Sequence, residues 1–187
     1  MVTCSNGPLQ RESKIFGVSL STLDPCVPYV VRKCVREIEK RGIKTPFIYK
    51  DLWEVPIKGN RTTFKLMNSF EISQHLTDVS HCEAHDLAYL IKQFFCMLPV
   101  PLIPEREFNE MVKIAEHYRL ALHDPISPES DVLREVKRVL ASLSRPHLST
   151  LSFLILHLRK VTDNSRYNLM TPDAVAVAFS SIIFGKK

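Results

Sequence analysis

Glycine is scarce in this chain, which has only five in 187 residues: Gly7, Gly17, Gly42, Gly59 and Gly185. That spacing cannot form a phosphate-cradling loop of the P-loop or the dinucleotide-binding kind. The HExxH zinc motif, the GxSxG nucleophile elbow and the protein-kinase signature set are also absent. The sequence therefore carries no self-contained catalytic site, and we expect a protein that is not itself an enzyme and acts by docking on another protein.

Long apolar runs are lacking as well. No stretch approaches the roughly 18–20 apolar residues that cross a bilayer. The polar residues 1–12 lack the apolar segment of a secretory signal. We expect a cytoplasmic domain, recruited to membrane or cytoskeleton by flanking domains and touching membrane only indirectly.

The cysteines give no sign of a disulfide framework. There are five, an odd number, and no two of them form a CxxC pair, a pattern that favours reduced thiols. The cluster of His81, Cys82 and His85 offers too few ligands for zinc, and no second group of ligands occurs elsewhere. We predict no metal and no cofactor.

The charge balance is mildly basic, with 25 lysines and arginines against 20 acidic residues. The two signs are interleaved, as in Arg36, Glu37, Glu39 and Lys40. Interleaving predicts a solvated mixed surface, so an acidic protein partner is expected ahead of nucleic acid.

Helical periodicity is the main structural pattern. Residues 28–41 predict a helix closed by Gly42, and residues 82–97 predict a second that stops before Pro99. The buried face of the first is formed by Val27, Val30, Val31, Cys34, Val35 and Ile38. That of the second is formed by Leu87, Leu90, Ile91, Phe94, Phe95 and Leu98.

Prolines mark the starts of four further helices, since a first helical turn tolerates a residue without an N–H. The predicted spans are 104–117, 128–143, 146–162 and 172 onward, with Ser127 and Thr171 as N-caps. The third span is predicted to be a central core helix, from the stripe Leu148, Leu151, Leu154, Ile155 and Leu158. We read His117, His147 and His157 as surface or hydrogen-bonded core histidines.

The expected fold is all-α. Strand signals are confined to the short segments 47–49 and 52–57. The helical patterns predict about seven to nine helices in one domain, residues 15–187, after a flexible segment of residues 1–14.

Six segments, in order, resemble a RhoGAP domain, the helical module that accelerates GTP hydrolysis by Rho-family small GTPases. They are IFGVSL at 15–20, the helix that ends in RGI at 41–43, residues 83–95 through LIKQFF, LPVPLI at 98–103, the core helix from residue 150, and NLMT at 168–171. The resemblance covers about residues 15–184. It implies the RhoGAP fold, with the family's final helix beyond residue 187.

The resemblance also implies an arginine finger, which hydrogen-bonds to the transferring phosphoryl group and is worth roughly 10³–10⁵ in rate. In the family this arginine lies in a GIxRxSG loop soon after the glycine that matches Gly42. Reading forward from Gly42 without a gap puts Lys50 at the finger position. Reading back from Gly59 puts Pro56 there and leaves about six extra residues. The nearest arginine is Arg61, a few residues late.

Three polar positions of the family's GTPase-binding face are relevant to function. Lys92 matches a lysine that the family uses at this interface. Cys96 replaces a common arginine one turn later, and Ala174 replaces the usual asparagine of the last helix. Lys58 and Arg61 are predicted to lie near the same face.

The leading hypothesis is a RhoGAP-like domain that binds a GTP-bound Rho-family small GTPase as a monomer, with weak or absent activation. A working activator with Arg61 as an offset finger is one alternative. A helical interaction scaffold that binds no GTPase is another.

Overall fold

The computed structural model describes residues 14–23, 26–50, 59–121 and 129–185. These residues contain eight α-helices and no β-strand. The helices are α1 (Tyr29–Glu37), α2 (Gly59–Ser73), α3 (Ala84–Cys96), α4 (Glu105–Ala121), α5 (Glu129–Ala141), α6 (Arg145–Asp163), α7 (Ser165–Asn168) and α8 (Pro172–Phe184). The all-α prediction is confirmed.

Helix α3 is the centre of the fold and packs against α1, α2 and α8. Its apolar residues recur at helical spacing around much of its circumference, so several faces find partners. Among them Leu87, Leu90, Ile91 and Phe94 have no exposed surface. Helices α4 and α5 pack on each other beside this core.

The proline-marked starts of α6 and α8 are confirmed. Thr171 caps α8, since its hydroxyl accepts a hydrogen bond from the Ala174 amide at 3.2 Å. The predicted cap Ser127 lies outside the described residues. The boundary of α2 had no clear sequence signal, and α7 is a single short turn.

Helix α1 ends differently from the prediction. The chain continues from Glu37 into a π-helical turn, Ile38–Gly42. Gly42 is required there by packing and not by a left-handed φ, because a Cβ on it would lie 2.6 Å from the Cβ of Ala84. The close contact brings the end of the π turn against the start of α3.

The core face of α6 is rotated from the predicted stripe. Leu151, Leu154 and Leu158 are buried as predicted, but Leu148 and Ile155 are 36% and 49% exposed. Two histidines complete the buried face instead. His147 hydrogen-bonds to the carbonyl of Leu102 at 3.0 Å, and His157 joins the network described below.

The segment before α1 is tied to the helical core. The carboxylate of Glu71 in α2 accepts hydrogen bonds from the amides of Lys14 at 2.7 Å and Phe16 at 2.9 Å. Residues 1–13 of the predicted flexible segment lie outside the described residues. None of the described helices is both long and apolar enough to cross a membrane.

Candidate functional site

The segment 43–50 follows the π turn and leads toward the candidate finger residues. It is a series of turns and not the strand that residues 47–49 suggested. The Phe47 amide donates to the Asn168 carbonyl at 2.7 Å, and the Lys50 amide donates to the Phe47 carbonyl at 2.9 Å. Phe47 has a φ of 55°, a left-handed conformation that is uncommon for a residue with a side chain.

Asn168, the last residue of α7, links this segment to neighbouring elements. Its side chain is fully buried, and its amide nitrogen donates to the carbonyls of Ile43 at 2.8 Å and Val161 at 2.9 Å. Its side-chain oxygen accepts from the Met170 amide at 2.8 Å. One buried amide thus joins segment 43–50, the end of α6 and the turn before α8.

Tyr49 is held at three points. Its ring packs edge-on against Phe179 of α8, with centroids 4.9 Å apart. Its hydroxyl lies 2.7 Å from Nε2 of His157, and its carbonyl accepts a hydrogen bond from the Lys92 ammonium at 2.8 Å. The residue next to Lys50 is therefore fixed by α3, α6 and α8 together.

Lys92 reaches this segment from inside the fold. The residue is only 6% exposed, and its ammonium lies on the Tyr49 carbonyl and 5.8 Å from the centre of the Phe179 ring. A buried ammonium requires such partners. The sequence predicted a contact with a binding partner, which stays a prediction, while the structure gives Lys92 an internal contact that supports the segment before Lys50.

Lys50 is exposed at the end of the described segment. Its ammonium lies 5.0 Å from the centre of the Phe47 ring, within the range of a cation–π contact. Phe47 itself is 36% exposed. Lys50 thus places a cation at the end of the anchored segment 43–50.

The other predicted residues are placed as follows. Cys96 is the exposed last residue of α3, one turn after Lys92. Ala174 lies half-buried in the first turn of α8. Arg61 is in the first turn of α2, and its side chain is not among the described parts of the structure. Pro56 and Lys58 lie outside the described residues.

A second polar group lies behind Tyr49. Nδ1 of His157 is 3.1 Å from Oε1 of Glu39, and the Lys160 ammonium is 2.6 Å from Oε2 of the same carboxylate. Burial lowers the pKa of His157 below its ordinary value, although the hydrogen bond to Glu39 opposes this shift. Partial burial disfavours ionised Glu39, but the hydrogen bonds from Lys160 and His157 outweigh it and hold the Glu39 pKa below its ordinary value.

Sequence reasoning missed Tyr49, Glu39 and the anchoring role of Asn168. His157 was expected to be either a surface or a hydrogen-bonded core histidine, and it is buried and hydrogen-bonded. Its partner Glu39 is 118 positions away along the chain, so no local pattern could pair them. The one available signal was a histidine on the apolar face of α6.

The sequence model of the RhoGAP domain family matches residues 28–187. The chain belongs to the RhoGAP domain family. The fold agrees, since human Rho GTPase activating protein 15 superposes with a TM-score of 0.77 at 25% identity, covering 92% of this chain and 78% of that one. The BH domain of GRAF, the GTPase regulator associated with focal adhesion kinase, superposes with a TM-score of 0.67 at 22% identity, covering 85% and 79%.

Curated relatives of this RhoGAP domain are much longer proteins. Rho GTPase-activating protein 45 of Xenopus laevis is 29% identical over 95% of this chain and 17% of its own length. The active breakpoint cluster region-related protein of Xenopus laevis is 32% identical over 92% of this chain and 19% of its own length. The chain thus spans less than a fifth of the length of either relative.

Proposed function

We propose that this RhoGAP domain binds the GTP-bound form of a Rho-family small GTPase and accelerates its GTP hydrolysis only weakly, because Lys50 occupies the finger position. The name of one relative, Rho GTPase-activating protein 45, and the match to the RhoGAP family support the choice of partner. The weak activity is argued from the chemistry of Lys50 and from the conformation that precedes it.

The observation that carries the proposal is the backbone of Phe47. In the GIxRxSG loop the first glycine comes three residues before the arginine, and Phe47 comes three residues before Lys50. The φ of 55° at Phe47 is one that glycine adopts freely and other residues avoid. A glycine-like backbone at this position supports the ungapped alignment, in which Lys50 takes the place of the finger.

The alternative alignment starts from Gly59 and Asn60 as the end of the loop. Both residues belong to the first turn of α2. The segment 43–50 already has the anchored turn that a finger needs, with Tyr49 held by Lys92 and His157. This favours Lys50 over Pro56, which has no polar side chain to offer.

A lysine at this position can do only part of the finger's work. Its ammonium is a compact charge that attracts the developing negative charge of the transition state. It lacks the planar fork that an arginine uses to bind two oxygens at once. Since a finger contributes roughly 10³–10⁵ in rate, losing the bidentate geometry leaves a binding-competent but poorly activating surface.

Two more positions on the same face have lost polar groups. Exposed Cys96 and half-buried Ala174 occupy sites where the family commonly has arginine and asparagine. Cys96 is exposed, and the backbone amide of Ala174 donates to the capping hydroxyl of Thr171. The scaffold is retained while hydrogen-bond donors toward a partner are reduced.

The test is single-turnover GTP hydrolysis by purified Rho-family GTPases with the wild-type domain, Lys50→Arg, Lys50→Ala and Lys44→Arg. We expect weak stimulation by wild type, a rate at least about tenfold higher with Lys50→Arg, and less than the wild-type rate with Lys50→Ala. Lys44 is a matched control, an exposed lysine of the same segment whose ammonium lies 4.6 Å from the Tyr167 ring centre. No gain with Lys50→Arg while binding is retained contradicts the proposal.

The offset-finger alternative is separated by Arg61→Ala. If Arg61 were the finger, the wild-type domain would stimulate hydrolysis strongly and Arg61→Ala would abolish the stimulation while leaving binding intact. We expect Arg61→Ala to leave the low rate unchanged. Absence of binding to every GTPase tested, in any nucleotide state, would favour the scaffold alternative.

A further inference from the structure

The hydrogen bonds that connect Tyr49, His157 and Glu39 behind segment 43–50 have a defined direction of donation. An ionised Glu39 can only accept, so Nδ1 of His157 must donate to it. Nε2 of a neutral His157 is then an acceptor, and the Tyr49 hydroxyl donates to it across the 2.7 Å contact. The order of donation runs from Tyr49 through His157 to Glu39, whose other oxygen accepts from Lys160.

Protonation of His157 reverses the hydrogen bond between its Nε2 and the Tyr49 hydroxyl. The imidazolium carries an N–H on both nitrogens, so the Tyr49 hydroxyl loses its acceptor and faces a donor. Tyr49 is only 1% exposed, and a buried hydroxyl without an acceptor costs more than the bond it replaced was worth. The residue beside Lys50 therefore has one arrangement when His157 is neutral and a strained one when it is charged.

The groups around this contact come from four elements. The π turn supplies Glu39, α6 supplies Lys160, α3 supplies Lys92 on the Tyr49 carbonyl, and α1 supplies Cys34. Burial raises the pKa of the Cys34 thiol and of the Tyr49 hydroxyl far above their ordinary values. Both are therefore neutral, and the charges that act on the contact are those of Glu39, Lys160 and Lys92.

We propose that His157 is a positioning residue for Lys50: neutral His157 holds Tyr49 and the turn that carries Lys50, and protonation of His157 loosens that turn. The consequence for a partner GTPase rests on the proposed function. The loosening of the turn does not, since it follows from contacts within this chain. Acid conditions then weaken the anchored turn that carries Lys50.

The direction of the pH effect follows from burial. The ordinary pKa of histidine is 6.5, and burial lowers that of His157. His157 is therefore neutral at neutral pH, and the loosening sets in only as the pH falls below 6.5 toward the folded-state pKa. Glu39 stays ionised over this range because its pKa is lowered from 4.5.

The experiment is amide hydrogen exchange of the whole 187-residue chain followed at Phe47 and Lys50, whose amides are both hydrogen-bonded within the anchored turn. Protection factors are compared for wild type, Tyr49→Phe and His157→Gln from about pH 8 to about pH 5.5. Tyr49→Phe removes only the hydroxyl and keeps the ring against Phe179. His147→Gln is the control, since His147 is a buried, hydrogen-bonded histidine of the same helix whose partner is Leu102.

We expect protection of the Phe47 and Lys50 amides in wild type to fall with acid, relative to amides of α3. Tyr49→Phe lowers their protection about fivefold at neutral pH and removes the acid dependence. His157→Gln also removes the acid dependence, and His147→Gln keeps it. The proposal is overturned if His147→Gln loses the acid dependence of protection as fully as His157→Gln does. It is also overturned if protection in wild type does not depend on pH.

A second arm separates this inference from the proposed function. GTPase binding is measured over the same pH range with wild type and Tyr49→Phe. If wild type binds no GTPase, the proposed function fails while the exchange data still decide the role of His157. If binding occurs but shows the same pH dependence in Tyr49→Phe as in wild type, the link from His157 to the docking surface is wrong.

Discussion

The glycine-like backbone of Phe47 predicts an unusual order of stability for two substitutions. At most positions alanine is more stable than glycine by about 0.5–1 kcal/mol, because glycine loses more entropy on folding. At a left-handed φ, an L side chain costs about 1–2 kcal/mol that glycine avoids. At Phe47, with a φ of 55°, the second effect exceeds the first, and Phe47→Gly should be more stable than Phe47→Ala by roughly 0.5–1 kcal/mol.

The comparison is clean because both variants lose the same ring. Its packing and its contact with the Lys50 ammonium at 5.0 Å are removed equally, so the difference reports the backbone alone. The free energy of unfolding is measured by urea denaturation at equal m-values. Glu116→Ala and Glu116→Gly, at an exposed site in α4, form the control pair and should show alanine ahead by about 1 kcal/mol.

The prediction fails if the free energy of unfolding of Phe47→Ala equals or exceeds that of Phe47→Gly. The turn would then not need a glycine-like residue, and the ungapped register that assigns Lys50 to the finger position would lose its support. If glycine is more stable than alanine at position 47 while alanine is more stable than glycine at position 116, the alignment that assigns Lys50 to the finger position is supported.

Three further predictions concern the anchors of the site. Asn168→Ala removes two N–H donors and one acceptor, which together make three hydrogen bonds, and should lower the free energy of unfolding by about 3 kcal/mol in urea denaturation. Gly42→Ala should cost about 1–3 kcal/mol in the same assay, because the new Cβ lies 2.6 Å from that of Ala84, and Ala84→Gly in the same chain should restore part of the loss. Glu39 has a lowered pKa in the fold, so its contribution to the free energy of unfolding is present above pH 4.5 and is lost as the pH falls through the folded-state pKa. Glu39→Gln should therefore lose less stability than wild type when the free energy of unfolding is followed into acid. An unchanged pH dependence would contradict the stabilising role of ionised Glu39.

The helices were largely predictable because their signals are local. Apolar spacing of 3.6 residues and prolines at first turns indicate α1, α3, α6 and α8 from the chain alone. The mixed pattern of α2 is weaker, since exposed Phe64 and Ile72 interrupt its polar face. Its start at Gly59 was therefore not marked by the sequence.

The site was less predictable because its contacts are non-local. A lysine near the end of an amphipathic helix ordinarily extends to solvent, yet Lys92 is buried because the Tyr49 carbonyl, 43 positions earlier, lies over it. The left-handed φ of Phe47 is equally invisible in the sequence, since a bulky residue gives no reason to expect it. The contacts involved are tertiary: the Lys92 ammonium lies on the Tyr49 carbonyl and near the Phe179 ring, and the Phe47 amide is held by the carbonyl of Asn168.

Under the proposed function, the anchored turn separates the residues that maintain the fold from the residue that would act on a nucleotide. The residues that hold the turn are buried and serve stability, among them Asn168, Tyr49 and His157. The residue that would act on a nucleotide, Lys50, is exposed and contributes little to packing. Its identity can therefore change while the scaffold behind it remains intact.

Under the proposed function, Lys50 leaves this domain able to bind a GTPase but unable to stabilise the transition state well. The most direct measurement compares its affinity for a Rho-family GTPase loaded with a GTP analogue and for the same GTPase loaded with GDP and aluminium fluoride, which mimics the transferring phosphoryl group. We predict similar affinities for wild type and a clear preference for the fluoride complex with Lys50→Arg. A strong preference for the fluoride complex in the wild-type domain would contradict the account.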